Sequence, residues 1–69
     1  MSREVPISTG TIRLGQFLKL ADMIDVGSDV KELLALREVW VNGAPETRRG
    51  RQLVRGDVVT VGETELVVG

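Results

Sequence analysis

Sixty-nine residues make one small domain, near the lower limit at which an uncrosslinked core holds itself together, so a deep catalytic cleft is not expected. The chain has no Cys and no His, which removes disulfides, zinc sites built from the usual ligands, thiol nucleophiles and the commonest general base. Nine Lys and Arg against ten Asp and Glu leave a formal net charge of -1, so bulk electrostatics exerts no long-range pull on nucleic acid and a polyanion would have to be met by a local patch. The start, Met1-Ser2-Arg3-Glu4-Val5-Pro6, has no apolar run of secretory length, and no stretch approaches the ~20 apolar residues of a membrane span. The expectation is a cytoplasmic protein that needs no cofactor and touches no membrane.

Residues 1–12 alternate weakly, with Val5, Ile7 and Ile12 separated by Ser8-Thr9-Gly10, and suit a short edge strand or hairpin because Pro6 cannot donate to a ladder. From Leu14 the period changes. Leu14, Phe17, Leu18 and Ala21 recur at helical spacing and form one stripe, while Arg13, Gln16 and Lys19 lie off it. The helix is short, since Asp22 and Asp25 to Gly27 supply a break. Ser28 can cap a second helix, with Asp29 placed for the positive end of its dipole, Val30, Leu33 and Leu34 inward and Lys31 and Glu32 outward.

Strand character returns at Glu38 to Val41, where period-two alternation puts Val39 and Val41 on one face and Trp40 on the other. Asn42-Gly43 is a strong turn signal because both residues tolerate positive φ. Pro45 limits regular pairing, so the arginine segment after it reads as a loop. Gly56-Asp57 turns the chain into Val58 to Val61, Gly62-Glu63 makes a two-residue hairpin of the glycine-first kind, and Thr64 to Val68 is the last strand. The fold class expected from this order is α+β, with two short helices packed on a small, mostly antiparallel sheet and no second domain, linker or repeat.

Four of the nine basic residues fall between Arg48 and Arg55, and Glu46 is the one acid in residues 46–55. Guanidinium groups bind phosphate as a bidentate fork and stack on unpaired bases, and Gly50 beside Arg48, Arg49 and Arg51 lets a ligand approach the backbone. The bland alternative is a solvated loop kept soluble by its charge. Arg13, Lys19 and Lys31 are each isolated, but if the two helices pack side by side their outer faces form one wall of a shallow groove and the arginine loop another. Phe17 and Trp40, the only large aromatics, are read as core residues rather than as stacking platforms. The carboxylates show no pairing for acid-base catalysis, and Gly15 is a lone glycine with no phosphate-loop fingerprint around it.

Taken together, Arg13-Leu14-x-x-Phe17-Leu18-Lys19, the Ser28 to Leu34 segment, Val39-Trp40-Val41-Asn42-Gly43 and Gly56-Asp57-Val58-Val59 resemble the RNA-binding domain named after ribosomal protein S-four, the alpha-L RNA-binding motif. The resemblance covers residues 12–61 of a single domain spanning 1–69. Leu14-Gly15-Gln16-Phe17-Leu18-Lys19 with Val41-Asn42-Gly43-x-x-Glu46-Thr47-Arg48-Arg49-Gly50-Arg51 looks like its short stand-alone bacterial branch, labelled YbcJ-like or YaaA-like. The resemblance implies a non-enzymatic module that cradles structured RNA, ribosomal or transfer, through Arg13, Gln16 and Lys19 on the first helix, Lys31 on the second, and Arg48, Arg49 and Arg51 on the loop. It also implies a possible protein partner on the ribosome or in RNA processing. The chain departs from the family where Gly27-Ser28-Asp29 and Glu32 replace a more basic start to the second helix.

Two other classes fit parts of the chain. Ubiquitin-like sulfur carriers also pair an internal Val-Asn-Gly with a later Gly-Asp, but act through a Gly-Gly tail where this sequence reads Val67-Val68-Gly69. A small protein-interaction module would act through Trp40 and the apolar hairpin.

Overall fold

The computed structural model of the chain describes residues 2–23, 34 and 38–69. In chain order these form β1 (Ser2–Val5), β2 (Thr11–Arg13), α1 (Leu14–Leu20), β3 (Val39–Val41), β4 (Ala44–Pro45), β5 (Gln52–Val54), β6 (Val58–Val61) and β7 (Thr64–Val68). Five strands make one sheet in the order β1-β7-β6-β3-β4, and β2 with β5 makes a separate antiparallel pair. In the larger sheet β1 runs parallel to β7, and the other neighbours are antiparallel. No helix among the described residues is long and apolar enough to cross a membrane.

This corrects the expected fold class of two short helices on a small sheet, because the described residues form one helix and seven strands in two sheets. The expected second helix, Ser28 to Leu34, lies outside the described residues except for Leu34, which is helical and buried. The extra strands come from pairings between distant segments. Thr11-Ile12-Arg13 lies against Gln52-Leu53-Val54, and Ser2 to Val5 lies along Glu65 to Val68. Three- and four-residue strands are too short to show an alternation of their own, so their strand character comes from the partner. Residues 1–12 therefore supply an edge strand and a second strand in another sheet, not a hairpin with each other.

The core forms where the predicted stripe meets the predicted strand faces. Leu14, Phe17 and Leu18 are fully buried and Ala21 is 2% exposed, and they join Val39, Val41, Val59, Leu66 and Val68 in one cluster. Each large side chain taken out of water here is worth about 1.5–3 kcal/mol. The ladder sets the inward row, since Val41 pairs with Val59 and Val59 with Leu66. Trp40 pairs with Thr60 and Pro45 on the other face and is half-buried, outside the cluster. The core reading of Trp40 is thus corrected, and that of Phe17 stands at 0% exposure.

Local chemistry closes each element. Asp22 sits at φ 59, and the amides of Asp22 and Met23 donate to the carbonyls of Lys19 and Leu18 at 3.1 and 2.9 Å. This is the paired-bond ending of a helix that passes through the left-handed region, and Met23 packs on the core beyond it. Arg3 reaches from β1 to the Ala21 carbonyl, covering another open acceptor of the helix end. Asn42 and Gly43, at φ 52 and 84, make the tight turn between β3 and β4, and Gly62 at φ 57 opens the β6–β7 turn.

The Val-Asn-Gly and Gly-Asp segments are bonded to each other. The Asn42 amide donates to the Val58 carbonyl at 2.7 Å, the Asn42 Oδ1 accepts from the Val58 amide at 2.9 Å, and Asn42 Nδ2 donates to Asp57 Oδ1 at 3.2 Å. Asp57 Oδ2 in turn accepts from the Val54 amide at 2.9 Å. Asn42→Ala removes two side-chain bonds and places a Cβ-branched-free but left-handed-averse residue at positive φ, so it is expected to cost about 1–3 kcal/mol. Asn42→Gly keeps the backbone freedom and isolates the side-chain bonds. Urea midpoints equal to the parent for both variants would show that the clasp does not stabilise the fold.

Candidate nucleic-acid interface

The helix that buries Leu14, Phe17 and Leu18 necessarily turns Gln16 and Lys19 outward, and both are exposed. Arg13 precedes it with φ -78 and ψ 147, closing β2 and standing at the helix entry without a side-chain cap bond. The cap comes instead from the arginine loop, residues 46–51. Its Arg51 carbonyl accepts from the Leu14 amide at 2.8 Å and its Arg49 carbonyl from the Gly15 amide at 2.9 Å. Two amides that a helix start leaves without partners are thereby satisfied by the loop's backbone, which fixes loop against helix. The other end of the loop is tied to the sheet, where the Glu46 amide donates to the Val39 carbonyl at 3.0 Å.

Between helix and loop lies an open pocket of about 300 Å³ lined by Arg13, Gly15, Gln16, Lys19, Arg49 and Gly50. Three of the six lining residues are cationic and none is acidic. At physiological salt the field of such a cluster reaches about 8 Å, so only a ligand that enters the pocket or lies across it meets the full charge. The two glycines leave the floor and rim free of side chains. An added Cβ at Gly50 would meet nothing within 4 Å, so there the openness is real space rather than a close backbone approach.

Of the residues singled out in the sequence, Arg13, Gln16, Lys19 and Arg49 are brought together at this pocket. Arg48 and Arg51 stand outside its lining and turn to Glu46. Arg48 Nε donates to Glu46 Oε1 at 3.0 Å, and Arg51 Nη1 lies 4.0 Å from Glu46 Oε2. Lys31 lies outside the described residues. Glu46 and Gly15 were not among the predicted site residues. Gly15 carried a faint signal, because a glycine in the first turn of a helix is a poor helix former and calls for a reason.

No group of three or more His, Cys, Asp or Glu side chains that could hold a metal occurs among the described residues. The pocket's chemistry is that of exposed donors, two guanidinium groups, one ammonium and one amide, lining the same space. Such a set recognises phosphate and other oxyanions by charge-assisted hydrogen bonds. Among the described residues the Arg49 side chain takes no hydrogen bond or ion pair of its own, while its carbonyl does the capping. Arg49→Ala is accordingly expected to change stability by less than about 0.5 kcal/mol in urea denaturation followed by circular dichroism. A larger loss would mean that the side chain, and not only the backbone, holds the loop.

Comparison with known proteins agrees with this geometry in placing helix and loop inside one motif. The S4 domain matches residues 5–69, nearly the whole chain. A Bacillus subtilis (strain 168) protein named "Probable ribosome maturation protein RlbA" is 51% identical over 61 residues, which cover 88% of this chain and 86% of that protein. The family match takes in β2, α1 and the Asn42-Gly43 turn. The chain belongs to the S4 domain family.

Proposed function

We propose that the protein is a non-enzymatic, cytoplasmic module that binds structured RNA on the surface made by α1 and the arginine loop, and that ribosomal RNA is its target ahead of transfer RNA. The observation that carries this reading is the convergence of Arg13, Lys19 and Arg49 on one acid-free pocket in a chain whose net charge is -1. Membership of the S4 domain family supports it, and the name of the Bacillus relative, a ribosome maturation protein, favours the ribosomal choice.

Binding in this scheme is phosphate neutralisation combined with fit. Arg13 and Arg49 hold phosphate oxygens as forks, Lys19 adds a point charge, and the Gln16 amide offers a donor and an acceptor to a 2′-hydroxyl or a base edge. Arg48 extends the same surface beyond the pocket. Duplex DNA is a poor fit, because α1 is only about 10 Å long and its first turn is covered by the loop, so it cannot enter a major groove end-on. Specificity then rests on the shape of a folded RNA, with little direct reading of sequence.

Two measurements test the proposal. In titrations with structured ribosomal RNA fragments, log K is expected to fall against log salt with a slope of about -3 to -4, matching about four phosphate contacts. The double change Arg13→Ala with Arg49→Ala should weaken binding at least about tenfold while the urea midpoint stays near the parent's. A flat salt dependence, or unchanged affinity in the folded double variant, would reject this surface as the site.

A further inference from the structure

The arginine loop contains one acid, and that acid is buried. Glu46 is 7% exposed and is the only charged residue among the described ones to be buried. A carboxylate withdrawn from water is unfavourable unless it is paired, and here Arg48 at 3.0 Å and Arg51 at 4.0 Å supply the pairing. A loop whose arginines served only solubility would have no use for such a group. The arrangement has two effects on the cationic surface. Glu46 engages Arg48 through Nε alone, so the two Nη groups of a side chain that is 75% exposed remain available as a fork. It also sets one fixed negative charge against the three arginines of the loop, and the Val39 bond anchors that charge to β3.

We infer that Glu46 is a specificity-determining positioning residue: it orients the Arg48 fork and restrains the loop's charge, so that a correctly shaped RNA backbone is preferred over any polyanion. This inference rests on the RNA-binding reading above. Its logic is a difference of affinities. A fully cationic loop would gain binding to every polyphosphate alike, whereas an oriented fork beside a fixed pocket gains most when two phosphates lie at the spacing the fold dictates. Arg48 is held by a bond that leaves its recognition edge open, Arg49 faces the pocket, and Arg51 is only 32% exposed. The three arginines therefore have unequal roles despite their adjacency in sequence.

The test is Glu46→Gln in the full chain, since glutamine keeps an oxygen to accept from Arg48 Nε while losing the charge and exchanging the second oxygen, which faces Arg51, for an amide nitrogen. Glu63→Gln, the same charge change at the exposed β6–β7 turn, is the control. E46Q is expected to elute later than both the parent and E63Q from immobilised heparin, and to bind duplex DNA with a salt slope steeper by about one. Its preference for a structured ribosomal RNA fragment over duplex DNA should narrow at least about threefold. Equal elution, slope and preference in a folded E46Q would overturn the inference. If the parent itself shows no preference for RNA, the RNA-binding reading falls, and the heparin comparison still decides whether Glu46 restrains the loop. Should E46Q fail to fold, Arg48→Lys carries the test. It keeps the charge but loses the Nε bond and the fork, and is expected to weaken structured-RNA binding about fivefold with the duplex-DNA slope unchanged; an unaltered RNA affinity would count against an oriented Arg48.

Discussion

The whole candidate surface depends on two backbone hydrogen bonds between segments far apart in the chain, from the Leu14 and Gly15 amides to the Arg51 and Arg49 carbonyls. A seven-residue helix does not hold itself together in water, because nucleation is costly and there are too few propagated bonds to offset it. Here the first turn receives acceptors from the loop, the last turn ends through Asp22 and Met23, and the apolar stripe is fully buried. The β2–β5 pair sits next to the same junction and holds Arg13 and Gln52 in register. Helix, loop and small sheet thus form one cooperative unit, and the pocket exists only where that unit is intact.

The charge distribution follows from this construction. A chain close to neutral gathers Arg13, Lys19 and Arg49 at one pocket because the helix and loop that carry them are stitched together, not because the sequence is basic. Arg3 and Arg55 are spent on backbone carbonyls of Ala21 and Ile7, where they join β1 and the segment after it to the rest of the domain. Among the described residues the basic side chains divide into Arg3 and Arg55, bonded to backbone carbonyls, Arg48 and Arg51, turned to Glu46, and Arg13, Lys19 and Arg49 at the pocket. Counting them along the sequence does not separate these groups.

Much of this was legible in the residues. The Leu14, Phe17, Leu18 and Ala21 stripe, the valine face of β3, the Asn42-Gly43 turn and the Gly62-Glu63 hairpin are local patterns with a local cause, and each is found where its period or turn chemistry places it. The pairing of β1 with β7 and of β2 with β5 was not legible, since neither partner shows a pattern until the other is beside it. Trp40 was misread for a related reason. Alternation correctly set it opposite Val39 and Val41, but the expectation that a lone tryptophan belongs in the core overrode that pattern. Among the candidate residues, helical spacing places Gln16 and Lys19 on the outward face of α1, whereas Arg13, expected on the same helix, closes β2 ahead of it, and the different surroundings of Arg48, Arg49 and Arg51 depend on a buried carboxylate that composition presents as an ordinary surface acid.

The placement of Trp40 gives the domain an internal optical probe. It is the only tryptophan, there is no tyrosine, and it lies on the face of β3 turned away from the core that α1 covers. Loss of the sheet exposes the half-buried indole fully. Its emission therefore reads the folded fraction. A bound molecule at a hundred times its dissociation constant raises the unfolding free energy by about 2.7 kcal/mol, so affinity can be read from the shift of a melting curve in unlabelled protein.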